Sequence, residues 1–524
     1  MLFDRLQTAG FALLVGLVSA MLILALVVAK QFDASALYLL VYIYRTPIFQ
    51  WPHVLDVWMA LPVLSMALVS SIIFWLLRHA RWAHHPRRLT SPESVRALIS
   101  KSAPQEKPHI FAGSFGGKSF LASIEDRALV FGPPGTGKTS FLMNQILHAS
   151  ATGLSFVAID IKPELHRILD TTLKQRGYRV LRLNPASDDA AADHWNPLAD
   201  ISDPVDITEL CTALLPILDS RDAPFVEAQR DWLKASVFHI AVQSGGSLPD
   251  AYKFLASHSD PTQLLKDLEQ SSSDEASAIA RRIQSGLSGS KPDPLIMAGL
   301  SNTLRKLDYL ALPGVQSAIG HSDFSIGELG QKGRPIALFI QFEETKINAL
   351  GPLLAFLATG ILTGLIASAE QRGTVAFFLD ELGNMPPIPN LPKKLNTLRS
   401  RNIPVWMYFQ SVAQIEQQYG RGASDIFFGA ADVQMVFRLN DHATRTRFCE
   451  LIGTTEREIH TQSTSHGDGG RSTTSTSRKP VNVIEPHELG ELKNNVVVCL
   501  YRGASAQGHA TPHYEEYPEF KKRS

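Results

Sequence analysis

The sequence predicts an α/β fold: a mostly parallel sheet covered by helices, interrupted by an all-α insertion and preceded by two membrane spans. Three observations predict it. Short, continuously apolar runs recur along the chain with helical stretches between them, as strands buried on both faces require. A glycine-rich turn, Gly132-Pro133-Pro134-Gly135-Thr136-Gly137-Lys138-Thr139, stands between one such run and a helical one. Two N-terminal stretches, 11–29 and 57–77, carry no charge and come close to the ~20 residues that cross a bilayer.

The N-terminal part, 1–78, reads as a membrane anchor with an outer loop at 30–56. A cleaved signal peptide is the rival reading of the first run, but its n-region is weak and no small-x-small site precedes Lys30. Arg78, Arg81, Arg87 and Arg88 crowd the end of the second run, whereas the loop holds only Lys30 and Arg45. The positive-inside rule therefore places both termini in the cytoplasm. A basic, proline-dotted linker is expected over 79–107. The formal net charge is zero, so any nucleic-acid contact must be local. Cys211, Cys449 and Cys499 stand far apart. They fit a reducing compartment and no structural zinc.

Beyond the linker, strands are expected at Arg127–Phe131, Ser155–Ile161, Tyr178–Leu183, Pro335–Phe342, Thr374–Asp380, Ile403–Phe409, Val433–Phe437 and Asn495–Tyr501. They divide into a first part of the nucleotide-binding domain at 108–203 and a second part at 311–524. Between them, 204–310 shows helical spacing only, as at Ile207, Leu210, Cys211, Leu214 and Leu218. The Ser/Thr/Gly-rich stretch 461–479 has almost no apolar residues and is expected to be a mobile loop.

The glycine-rich turn has the G-x-x-x-x-G-K-[ST] spacing of a P-loop. Its backbone N–H groups curl toward phosphate oxygens and the next helix adds its positive end. Gly132, Pro133, Pro134, Gly135, Thr136, Gly137, Lys138, Thr139 and Ser140 are thus candidate ATP contacts. Lys138 reaches the β- and γ-phosphates, and Thr139 holds Mg²⁺. At the end of a later strand, Asp380 suits the Mg²⁺ shell and Glu381 can polarise the attacking water. A capped helix start is the plain alternative for that pair. Asp160, Lys162 and Glu164 end another strand as further nucleotide candidates, or as a solvated turn. Gln410 ends a third, where a carboxamide can touch a γ-phosphate or the lytic water.

The motifs taken in order resemble the type IV secretion coupling proteins, the TraG/TrwB class of conjugative DNA-transfer ATPases. They are the P-loop, "DIKPE" (Asp160–Glu164), "NPASDDAAADHWNPL" (Asn184–Leu198), "HSDFSIGELGQKGRPIALFI" (His321–Ile340), "LDELGNMPPIP", "LRSRNIPVWMYFQSVAQIEQQYG", "NDHATRTRFCELIG" and "NVIEPHELGEL". The resemblance covers nearly the whole chain. It departs from the family in the proline-rich P-loop, in Pro163 where a glycine is common, and in the short C-terminus without a long acidic tail. It implies a RecA-like core of the FtsK/HerA kind in a homo-hexameric ring on the bacterial inner membrane. It also implies ATP and Mg²⁺ as cofactors, and as partners the secretion channel components and relaxosome or effector proteins. Single- or double-stranded DNA would be bound without sequence preference. In such rings an arginine reaches across the subunit interface; Arg399 is the first candidate and Arg401 the second, and pairing with nearby acids is the plain alternative. Arg281, Arg282, Lys306, Lys393 and Lys394 are candidate DNA contacts, or simply solvated helix faces.

Other readings stay open. One is a coupling protein dedicated to protein effectors, and another is an FtsK/HerA-like translocase not tied to secretion. A structural receptor without enzymatic activity would leave the P-loop and Asp380-Glu381 without a role. A membrane-anchored zinc protease needs H-E-x-x-H, and "HELGE" at His487–Glu491 ends in Glu.

Overall fold

A twisted parallel sheet gains an antiparallel edge in the computed structural model, which describes residues 88–521 apart from Glu106, Asp188, Ala190, Ser202, Leu218, Gly245, Ser259, 289–293 and 465–471. The two expected membrane runs lie outside the described residues. The strands are β1 (His109–Phe115), β2 (Lys118–Ser123), β3 (Ala128–Phe131), β4 (Ser155–Asp160), β5 (Arg179–Leu183), β6 (Ile336–Gln341), β7 (Val375–Leu379), β8 (Val405–Phe409), β9 (Val433–Val436), β10 (Thr454–Thr464), β11 (Ser472–Asn482), β12 (Val496–Tyr501) and β13 (Ala504–His509). Eleven of them join in the order β2-β1-β13-β12-β9-β3-β8-β7-β4-β6-β5. Every pair from β9 to β5 is parallel. The four strands beyond β9 pair antiparallel.

Alternation in the strands divides the core into two layers. Phe156 and Ala158 of β4 face one side, with Phe141, Leu142 and Ile146 of the helix Lys138–Ala151 and Leu165 and Leu169 of the helix Leu165–Gln175. Val157 and Ile159 face the other, with the helix Ile347–Ala367 and the helix Leu391–Ser400. Both faces are covered, which is why the central strands are apolar throughout. The helix Ile347–Ala367 is the one described helix long and apolar enough to cross a membrane. It is buried instead, with Leu353, Leu357, Ile361 and Leu365 wholly inside.

Between β5 and β6 the described chain is helical. Pro204–Leu214, Ala223–Ser244, Leu248–Ser257, Pro261–Glu269, Asp274–Leu287, Pro294–Lys306 and Pro313–Gly320 follow one another. Local chemistry sets their starts. Asp203 accepts from Val205 N–H and Asp260 from Thr262 N–H, each before a proline that needs no donor partner. Ser247 and Asp250 form a capping box.

Two expectations differ from the structure. The second half of the expected linker holds a helix, Pro92–Ile99, capped by Ser91. Its Leu98 is fully buried in the layer that contains Ile110 and Phe120, because Val95, Leu98 and Ile99 share one helical face. The two ends of the Ser/Thr-rich stretch expected as a mobile loop belong to β10 and β11, which pair into a two-stranded sheet of their own; its centre, 465–471, lies outside the described residues. Threonine favours extended backbone even where the sequence is polar.

Candidate functional site: a P-loop facing a carboxylate and carboxamide cluster

The P-loop begins where β3 ends. β3 is fixed by an aromatic cluster: Phe131 stacks on Phe428 at 5.5 Å and meets Phe448 edge-on at 5.5 Å. Such pairs add about 0.5–1.5 kcal/mol each beyond area burial. The turn then leaves the sheet with Gly132 N–H donating to Phe409 O of β8 at 3.1 Å. Thr136 Oγ1 donates to Pro133 O at 2.8 Å and closes the curl.

Gly137 starts the next helix with φ +103°, and a Cβ there would sit 2.0 Å from Asn495 Oδ1. Only glycine fits, for backbone and for space. It offers no capping side chain, so the helix Lys138–Ala151 opens with N–H groups and a positive end aimed into the loop. Asn495, just before β12, also donates its N–H to Thr136 O at 3.2 Å. It braces the loop from a strand the motif does not include.

Lys138 is buried. Its ammonium donates to Gly132 O, and to Pro133 O at 3.2 Å. Burial lowers its pKa, opposed first by Glu381 and then by Asp380. Asp380 is pushed up by burial and by Glu381, and Lys138 pulls it down. The three charges therefore act on one another beyond the C-terminal ends of β3 and β7, which flank β8, where ligands bind in open α/β sheets. Thr139 and Ser140 are half-buried in the first helical turn.

Glu381 has left-handed backbone, φ +52°, a conformation that costs a non-glycine residue on the order of 1 kcal/mol. Its Oε2 accepts from Gln410 Nε2 at 2.9 Å and from Asn384 Nδ2 at 3.3 Å. Gln414 ties the group together. Its Oε1 accepts from Gln410 N–H at 2.8 Å, and its Nε2 donates to Asn384 Oδ1 at 3.2 Å. Gln418 donates to Gly383 O at 2.6 Å and Met385 O at 2.7 Å. Gly383 leaves room for this, since a Cβ there would meet Gln414 Oε1 at 2.1 Å. Gln410 is thus brought to Glu381 as a nucleotide-sensing role requires. Asn384, Gln414, Gln418 and Asn495 carry no sequence signal that singles them out.

Other candidates are placed differently. Asp160 caps the helix Leu165–Gln175, accepting from Glu164 N–H at 3.2 Å and His166 N–H at 3.3 Å. Gln341 Nε2 donates to it at 3.2 Å. Burial raises its pKa to about 6. Lys162 is exposed and stands 3.9 Å from Glu344, while its charge still reaches Lys138. Glu164 is exposed. Arg399 lies 3.6 Å from Glu125 and 3.9 Å from Asp432, and Arg401 4.0 Å from Glu370. Neither is brought to the P-loop of its own chain. Among the five basic candidates for DNA, Arg282 pairs with Asp231 at 2.6 Å and Lys394 with Glu209 at 2.6 Å. The second pair is largely buried and joins the helix Leu391–Ser400 to the helix Pro204–Leu214. Arg281, Lys306 and Lys393 are exposed, with no ion pair among the described residues.

A P-loop whose lysine faces a strand-end carboxylate pair, on a mostly parallel sheet, defines a P-loop nucleotide-binding protein. Residues 89–523 match the family model described as Type IV secretory system Conjugative DNA transfer. The chain belongs to this family and is a type IV coupling protein. It is similar to the protein VirD4 of Rhizobium radiobacter, 21% identical over 88% of this chain and 68% of that one. It is also similar to the conjugal transfer protein TraG of Rhizobium radiobacter, 23% identical over 75% of this chain and 61% of that one. Among solved structures, the plasmid coupling protein TrwB in complex with ADP and Mg²⁺ shares the fold. The TM-score is 0.64 at 18% identity, covering 82% of this chain and 94% of that one.

Proposed function

We propose that this coupling protein is an ATP hydrolase that drives substrate into a type IV secretion channel. The single observation that carries the reading is the meeting of Lys138, Asp380, Glu381 and Gln410 beyond the C-terminal ends of the central strands β3, β7 and β8. The residues fit ATP and Mg²⁺. The uncapped helix start and the curled loop present donors for phosphate oxygens. Thr139 and Asp380 supply the hard oxygen ligands that Mg²⁺ prefers, and Mg²⁺ held there neutralises phosphate charge. Lys138 exchanges its loop carbonyls for β- and γ-phosphate oxygens. Glu381 takes a proton from the attacking water, and Gln410, already on Glu381, can shift a donor to the γ-phosphate.

The substrate we favour is single-stranded DNA with an attached relaxase, supported by the family description. Sequence-independent binding should depend on salt, and of the five candidate cations Arg281, Lys306 and Lys393 are exposed without an ion pair among the described residues. An effector protein is the alternative substrate. Anchoring in the inner membrane by 11–29 and 57–77 is supported by their length, lack of charge and flanking arginines; the homo-hexameric ring is what the resemblance to the coupling proteins implies. The test is phosphate release by the purified full chain in detergent, with and without single-stranded DNA. Turnover should rise with DNA, fall as salt increases, and vanish in Lys138→Ala. Equal turnover in that variant sinks the reading.

Gln414→Ala should lower kcat on the order of ten- to a hundredfold, as small displacements of positioned groups do, with the KM for ATP nearly unchanged. Gln414 touches Gln410 and Asn384 and no P-loop residue. A loss in KM alone, or none in kcat, removes it from the positioning of Glu381.

A further inference from the structure

Two of the sequence stretches that carry the family resemblance take no part in the nucleotide site: "DHWNPL" at Asp193–Leu198 and "HSDFS" at His321–Ser325. They lie on either side of the helical insertion. The structure brings them together as a neck. Trp195 N–H donates to Ala318 O at 2.8 Å and Asp323 N–H to His194 O at 2.9 Å. Asn196 N–H donates to Ser322 Oγ at 3.0 Å. Asp200 accepts from Trp195 Nε1, Ser325 Oγ and Ile326 N–H, each at 2.8 Å. The outgoing and returning chains are thus held at fixed spacing.

At the solvent side of this neck stand His194, His321 and Asp323. The two imidazoles stack with centroids 4.2 Å apart and planes inclined by 29°. Asp323 Oδ2 accepts from His194 N–H at 2.9 Å and lies 2.6 Å from His194 Nδ1. One ligand atom from each of the three residues lies within 4.8 Å of the others. His321 and Asp323 are exposed and His194 is half-buried, so an ion from solvent has access.

We propose that His194, His321 and Asp323 form a binding site for a divalent transition-metal ion of the Zn²⁺ class, which staples the neck of the helical insertion. Two neutral imidazoles and one carboxylate are the donor set that such ions select. Mg²⁺ demands oxygen donors and would not compete. Zn²⁺ takes nitrogen and oxygen at about 2.0–2.2 Å, so the three ligand atoms must close by roughly 1.5 Å from their widest spacing. Rotation of the exposed His321 and Asp323 side chains supplies that movement, while the backbone hydrogen bonds keep the carriers in place. Water fills a fourth position. The ion joins residues 194 and 321 and so ties the two ends of the insertion together independently of nucleotide.

The test uses the purified full chain, stripped with chelator and titrated with Zn²⁺, and in parallel with Co²⁺ as a coloured substitute. One equivalent should bind, and Co²⁺ should give the visible absorption of a nitrogen- and oxygen-ligated ion. His321→Gln and Asp323→Asn should each weaken binding at least tenfold and remove the absorption. Zn²⁺ should raise the melting temperature of the unmodified chain, leave His321→Gln unmoved, and have no counterpart with Mg²⁺. Circular dichroism shows whether each variant is folded. His321 is exposed, so its variant keeps the test decisive even where Asp323→Asn, which also loosens His194, does not fold. Absence of stoichiometric Zn²⁺ and Co²⁺ binding by the unmodified chain overturns the proposal, as does full affinity in folded His321→Gln. Because none of these readouts is turnover, the outcome is separate from that of the ATPase reading.

Discussion

Glu381→Gln is expected to leave ATP bound and to lower its turnover by about a thousandfold, the range over which a positioned general base acts. The change is nearly isosteric. Two carboxamides, Gln410 and Asn384, donate into Oε2 of Glu381, and the amide oxygen of a glutamine can accept both bonds in its place. Lys138, Thr139 and the helix start are untouched, so phosphate binding survives. What is lost is the lone pair that receives the water's proton and the negative charge that faces Lys138. Lys138→Ala differs because it removes a charge that bound phosphate itself requires. Equilibrium binding of a fluorescent ATP analogue, read beside single-turnover hydrolysis, separates the two. Comparable loss of binding in both variants, or normal hydrolysis in Glu381→Gln, would take Glu381 out of the base role.

The contrast between motif and support shows where sequence reading reaches. Lys138 and Thr139 are legible because phosphate chemistry fixes their spacing from Gly132 and Gly137. Asp380 and Glu381 are legible because two acids end an apolar strand. Asn384, Gln414 and Gln418 look like ordinary polar residues on a turn and a short helix. Their meaning is a set of contacts of 2.6–3.3 Å that only the folded turn creates. The central strands show themselves as apolar runs because both their faces are covered. Of the antiparallel edge, β12 does so too, as "VVVCLY", but its neighbours do not. β13, "ASAQGH", is short and half polar, and β2 starts with exposed Lys118 and Ser119; pairing with β12 and β1 makes them strands. The Ser/Thr-rich stretch reads as a mobile loop because its hydrophobicity is low, yet its two ends belong to β10 and β11, since backbone pairing between strands needs no apolar side chain.

Arg399→Ala is expected to bind ATP normally and to lose about a thousandfold in turnover, the scale of an arginine that meets transition-state charge. The fold denies this arginine its own chain's nucleotide. Arg399 stands beside Glu125 and Asp432, which precede β3 and β9. The P-loop follows β3 at its other end. A four-residue strand spans about 13 Å, more than a guanidinium can reach around. In the proposed ring, a direct contact of Arg399 with nucleotide is therefore one with a neighbouring subunit's. The local partners do not hold Arg399 back. Asp432 is already engaged by Arg127, with Nε at 3.2 Å and Nη2 at 3.0 Å. The contacts of Arg399 to Asp432 and Glu125 are longer than hydrogen bonds, and its side chain is 44% exposed. Exposed pairs of this kind contribute about 0–1 kcal/mol, little against a charge-assisted fork onto phosphate. Arg401, at 4.0 Å from an exposed Glu370, is the internal comparison, and Arg401→Ala should cost less. Mixing decides the matter. Lys138→Ala subunits keep Arg399 but cannot hydrolyse, and Arg399→Ala subunits keep the P-loop. Rings assembled from both should recover part of the turnover that neither has alone. Normal hydrolysis by Arg399→Ala, or no recovery once mixed rings are demonstrated by crosslinking, leaves Arg399 as a surface partner of Glu125 and Asp432.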